Sequence, residues 1–200
     1  MALPVNTPSD HFRPTSGVDM INGRTIRCLT VVAGPTAVGK TRLLQLAATD
    51  ELLRQRLRVP KAPAVTPKEL LRLSSSGPIN ELILHYDILK PHHKGLRSHV
   101  ADPATTTLSH AETIVFLTLR TTPERLAAQL DRRIAAYERK ANKRRRLQQL
   151  RGLESEYQDN GFVADWYQRW FGFVERFRSV TSASYIVDAH HDYRLTPYMP

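Results

Sequence analysis

The chain reads as a single α/β domain of three layers, with a central parallel sheet of five strands and helices on both faces. Three observations predict it. Short apolar runs rich in β-branched residues alternate with segments of helical period, which implies parallel pairing under covering helices. The first run leads into a glycine-rich turn, Gly34 to Thr41, that opens a helix. At 200 residues, 41% hydrophobic and 24% charged, the chain can bury a full core around such a sheet.

Residues 1–24 hold Pro4, Pro8 and Pro14 among small polar residues and read as an extended N-terminal arm, which leaves 25–200 as the domain. Cys28 to Ala33 is the first strand. The helix after the turn places Leu43, Leu46 and Ala47 on one face and is expected to run to about Leu57. Pro60, Pro63 and Pro67 bracket Ala64-Val65-Thr66, which leaves room for a short second strand. Thr66, Pro67 and Glu69 form a helix start, with cap, first-turn proline and an acid three residues on. That helix continues through Leu70, Leu71 and Leu73 to the breaker at Ser74–Pro78.

Leu82 to Asp87 is the third strand, ending on a carboxylate, and Lys90 to Thr107 reads as an irregular connection. Thr113 to Leu119 is the fourth strand. Thr122 and Pro123 open a long helix with Leu126, Leu130, Ile134 and Tyr137 on its apolar face. The period resets near Gly152. A second long helix then carries Phe162, Trp166, Trp170, Phe173 and Phe177, an aromatic stripe that reads as core packing. Ser184 to Asp188 is the last strand, followed by a tail.

Net charge is +10, with Arg132, Arg133, Arg139, Lys140 and Lys143 to Arg146 crowded in one stretch, which favours anionic partners. No basic-then-apolar leader and no membrane-length apolar run is visible, so the expectation is a cytoplasmic protein with no membrane partner. Cys28, the single cysteine, reads as a small core residue. His92, His93, His99, His190 and His191 have no Cys or acidic neighbours at a structural-zinc spacing.

Gly34-Pro35-Thr36-Ala37-Val38-Gly39-Lys40-Thr41 fills every fixed position of G-x-x-x-x-G-K-[ST]. Strand, turn and helix N-terminus let successive backbone N–H groups wrap a phosphate chain. Lys40 is then expected to reach the β/γ-phosphates of a nucleoside triphosphate and Thr41 to hold Mg²⁺. Asp87, at the end of an apolar strand, is the matching Mg²⁺-associated carboxylate. The next residue is Ile88 rather than a Glu that would orient an attacking water, which argues for transfer over hydrolysis. Asn142-Lys143-Arg144-Arg145 lacks the acid of a guanine-reading stretch, which argues against a GTPase.

From Thr25 to Asp192 the order of these features resembles the P-loop small-molecule kinases of the nucleoside-monophosphate-kinase-like group, including adenylate, shikimate and gluconate kinases. The phosphate loop is the specific motif, and the rest is order and spacing. The resemblance implies a P-loop NTPase fold with strand order 2-3-1-4-5. It implies a lid with Arg132, Arg133 and Arg139, and an adenine-lining loop at Ala189 to Asp192. Acceptor contacts would come from Thr66, His85, Lys90, His92 and His93. The loop is also similar to that of tRNA dimethylallyltransferases, though the Asp-Ser pair those enzymes carry is missing between Leu57 and Leu82.

The resulting expectation is an ATP-dependent, Mg²⁺-requiring phosphotransferase on a small-molecule acceptor. Lys40, Asp87, Arg132 and Arg133 would be catalytic, Gly34 to Thr41 would bind the nucleotide, and Thr41 with Asp87 would hold the metal. The alternatives are a prenyltransferase, a nucleotide-switched module and a nucleic-acid-directed ATPase. For Lys140 to Arg146 a solvated helix face is favoured over a nucleic-acid surface.

Overall fold

The computed structural model describes residues 25–70, 78–87, 108–139, 143–158 and 161–198. The expected N-terminal arm, the segment 71–77 and the connection bearing Lys90, His92 and His93 lie outside these residues.

Five strands run parallel: β1 (Ile26–Ala33), β2 (Ala64–Val65), β3 (Ile79–His85), β4 (Ala111–Arg120) and β5 (Thr181–Asp188). A sixth, β6 (Arg194–Pro197), pairs antiparallel with β5, and the sheet order is β2-β3-β1-β4-β5-β6. The sheet is therefore six-stranded and mixed, not five-stranded and parallel. The tail beyond Asp188 turns back through Asp192 and Tyr193, both with positive φ (51° and 53°), and covers the β5 edge.

Side chains alternate across the sheet and build a core on each face. Leu29, Val31, Leu84, Ile114 and Phe116 belong to one core, with Trp166, Trp170 and Phe173 of α6 (Phe162–Glu175). The stripe is packing, as its period predicts. Its Trp170 indole N–H also donates to Thr118 Oγ1 at 2.7 Å. Val32, Ile83, Leu117 and Val187 belong to the other core. Their helical partners there are α1 (Lys40–Thr49), α2 (Glu51–Arg56), α4 (Pro123–Glu138) and α5 (Arg144–Gln158). The four-residue α3 (Pro67–Leu70) follows β2, with the expected capping box: the Thr66 N–H donates to Glu69 at 2.8 Å, and the Glu69 N–H returns to Thr66 Oγ1 at 3.3 Å.

Three local expectations need correction. The helix after the glycine-rich turn breaks at Asp50, whose extended backbone (φ −115°, ψ 104°) and carboxylate cap α2 through the Leu53 N–H at 2.9 Å. Gly152 lies inside α5, where a glycine costs about 1 kcal/mol. Burial of Leu150 and Tyr157 on the same helix offsets that cost, and α5 runs unbroken from Arg144 to Gln158. Cys28 is half-buried and belongs to neither core.

Candidate functional site

The carboxyl ends of β1, β3, β4 and β5 open on one side of the sheet, the edge where parallel α/β sheets place their ligands. After β1 the chain makes the Gly34–Thr41 turn. Gly34 has φ 152°, and a Cβ there would lie 2.7 Å from Val38 Cγ1 and 3.1 Å from the Leu119 carbonyl oxygen, so only glycine fits. Gly39, at φ 105°, precedes α1, and no side chain caps that helix. The first-turn N–H groups of a helix have no intrahelical acceptor, and with the helix dipole they attract anions. Ala37, at φ 73°, carries the left-handed strain of a non-glycine residue, about 1–2 kcal/mol.

Lys40 is 6% exposed, and its Nζ donates to the Gly34 carbonyl and, at 2.9 Å, to the Pro35 carbonyl. It also lies 3.6 Å from Asp87 Oδ2. Asp87 follows β3 by two residues and is buried; the Tyr86 N–H, donating to the Val32 carbonyl at 2.9 Å, holds that strand end beside β1. Thr36 Oγ1 donates to Asp87 Oδ2 at 2.6 Å, and the phenol of Tyr157 on α5 donates to the Thr36 carbonyl at 2.7 Å. Loop, strand end and helix thus share one buried hydrogen-bonded cluster.

A cavity of about 880 Å³ opens over this cluster. Thr36 to Thr41, His85, Asp87, Arg132, Arg133, Ala189, His190 and Asp192 all line it, so residues proposed from four separate stretches of sequence meet there. Gly34 and Pro35 lie behind the wall, where their carbonyls hold Lys40. Thr66 does not line the cavity, and its hydroxyl is engaged with Glu69.

Arg146 does line it, which corrects its assignment to a solvated face; Arg144 and Arg145 on the same helix are exposed. Packing of α5 on α4 decides which of three consecutive arginines points inward, and no sequence period marks that. Tyr193 and Gln129 also escaped sequence reasoning, since neither belongs to a motif. Tyr157 was missed because one aromatic on a mixed helix carries no signal of its own.

The cavity is electropositive. Lys40, Arg42, Arg132, Arg133 and Arg146 line it against Asp87 and Asp192, and Asp192 is already paired with Arg56 at 2.9 Å. At the β5 end, burial raises the Asp188 carboxyl, but the N–H groups of His190 and His191 and the His191 ring outweigh it and hold the group below its ordinary value. Desolvation, then the Arg125 guanidinium, hold the His190 imidazole below its ordinary value; its Nε2 meets Thr121 Oγ1.

No protein-family model and no curated protein matches the chain. Among the described residues no helix is long and apolar enough to cross a membrane. Nor, among them, do three or more His, Cys, Asp or Glu side chains gather as a metal cluster. Thr41 and Asp87, two residues with hard oxygen donors, both line the cavity.

Proposed function

We propose that this protein binds ATP and acts as a Mg²⁺-dependent phosphotransferase on a small-molecule acceptor. One observation carries the reading. The Gly34–Thr41 turn, at the uncapped start of a ten-residue helix, shares a single electropositive cavity with Asp87, Arg132, Arg133 and Arg146. The parallel strands in order 2-3-1-4-5, with helices against both faces, support assignment to a three-layer P-loop NTPase fold.

The residues fit the implied groups. A cavity of about 880 Å³ falls in the range that encloses small ligands, and its cationic lining suits a polyphosphate. A hydroxyl and a carboxylate are the donors Mg²⁺ takes when substrate phosphates and water complete its shell. Bound Mg²⁺ would neutralise charge on the β- and γ-phosphate oxygens. Lys40 would exchange the Gly34 and Pro35 carbonyls for phosphate oxygens. Arg132, Arg133 and Arg146 would stabilise charge on the transferred group, where guanidinium forks act best. His85, beside Asp87, would face the acceptor, and Ala189 to Tyr193 would border the base.

MgATP should raise the melting temperature of the wild type, by about 2.7 kcal/mol of stabilisation at a hundred times Kd. Lys40→Ala should fold and lose most of that shift; equal shifts in both proteins would remove the loop from the account. ATP turnover should be slow without an acceptor. A second reading, a nucleic-acid-directed ATPase, is favoured by Arg139, Lys143, Arg144 and Arg145, all exposed and without a carboxylate partner among the described residues. Turnover that rises only with RNA or DNA would select it.

A further inference from the structure

We propose that Tyr157 is a positioning residue for this site: its phenol fixes the Thr36–Ala37 peptide so that the Ala37 N–H is presented to the cavity. The proposal rests on the nucleotide-binding reading above and assigns a role to a residue outside the phosphate-loop motif.

Three observations support it. Tyr157 is 5% exposed and lies 121 positions from Thr36 in sequence, and its hydroxyl donates to the Thr36 carbonyl at 2.7 Å. A trans peptide is planar, with C=O and N–H pointing opposite ways. Holding the Thr36 carbonyl on Tyr157 therefore turns the Ala37 N–H to the other side, and Ala37 is a cavity-lining residue. The third observation is strain: Ala37 sits at φ 73°, a conformation an alanine leaves if allowed. Rotating the peptide plane would carry φ of Ala37 toward negative values and swing its N–H out of the cavity. The Tyr157 bond opposes that rotation.

The same carbonyl belongs to the residue whose hydroxyl holds Asp87, so the bond also steadies the Thr36–Asp87 contact at 2.6 Å. The phenol serves as a donor only. Burial, and next the Asp87 charge, push its ionisation well above the ordinary tyrosine value, which keeps the phenol protonated as the donor of this bond. Its ring packs 5.5 Å from Phe162, which gives it a structural role as well. The test must separate the two.

Calorimetric titration with MgATP does so. The wild type binds, and Tyr157→Phe, which keeps the ring, should bind about tenfold more weakly because a buried carbonyl loses its donor and the peptide is released. Ala37→Gly, measured in parallel, sets the reference for the combined variant, since glycine accepts φ 73° without strain. Tyr157→Phe combined with Ala37→Gly should regain most of the lost affinity, because the drive to rotate the peptide is gone. Rescue at residue 37 is not expected of a tyrosine that merely packs α5. Wild-type affinity in Tyr157→Phe overturns the proposal, as does weak binding that Ala37→Gly fails to restore. Failure of both the single and the combined variant to fold would make Tyr157 purely structural and overturn it too. A wild type that does not bind MgATP overturns the nucleotide reading itself, and this inference with it.

Discussion

Replacing Thr36 by valine changes one atom group and tests the cluster beneath the cavity. The hydroxyl donates to Asp87 Oδ2 at 2.6 Å, with Thr36 9% and Asp87 3% exposed. A hydrogen bond to a charged group contributes about 1.5–3 kcal/mol, and the new methyl recovers about 0.8 kcal/mol of burial. The net loss is about 1–2 kcal/mol, which for a chain of this size lowers Tm by about 2–8 °C. Scanning calorimetry without nucleotide reads this directly. A double-mutant cycle with Asp87→Ala isolates the pair, and a coupling of at least about 0.5 kcal/mol is expected of groups in contact. An unchanged Tm, or a coupling indistinguishable from zero, would refute the claim that Thr36 holds the carboxylate in place.

Three further outcomes follow from the same geometry. With an acceptor present, Arg146→Ala should lower ATP turnover by about a hundredfold, the scale of one lost transition-state donor, while Arg144→Glu with Arg145→Glu changes it little; the reverse ranking in steady-state assays would return Arg146 to the solvated face. Asp188 is held below its ordinary value, so its contribution to stability is full above about pH 4 and is lost as pH falls through the lower folded-state value. The Tm gap between wild type and Asp188→Asn should therefore close as pH is taken from about 5 toward 2, and a gap that widens would contradict the sign. Trp170→Phe removes the donor to Thr118 Oγ1 at 2.7 Å in a fully buried setting, and should cost about 1–3 kcal/mol in urea unfolding without altering MgATP affinity.

Much of the fold was legible in local order. Apolar runs located four of the parallel strands, bracketing prolines the short β2, and a period of about 3.6 residues the aromatic helix, because a strand covered on both faces is apolar throughout and a helix on one face repeats at its own spacing. Gly34 and Gly39 were legible because the turn demands backbone angles, 152° and 105°, that other residues resist. Asp87 was legible because it ends an apolar run.

The rest was settled by packing, and in each case the deciding contact lies between elements and not within one. β6 is a strand only because the open edge of β5 offers it hydrogen bonds; its own four residues, Arg194 to Pro197, have no strand period. α5 continues through Gly152 because Tyr157 and Leu150 are buried beyond and before it, a gain that outweighs one glycine. Arg146 faces the cavity and Arg144 and Arg145 do not, because packing of α5 on α4 sets the rotation of the helix. Tyr157 reaches the Thr36 carbonyl across 121 positions of sequence. A local pattern records which face of an element is apolar. It does not record what that face meets, so the loop could be read from the chain and the residues that hold it could not.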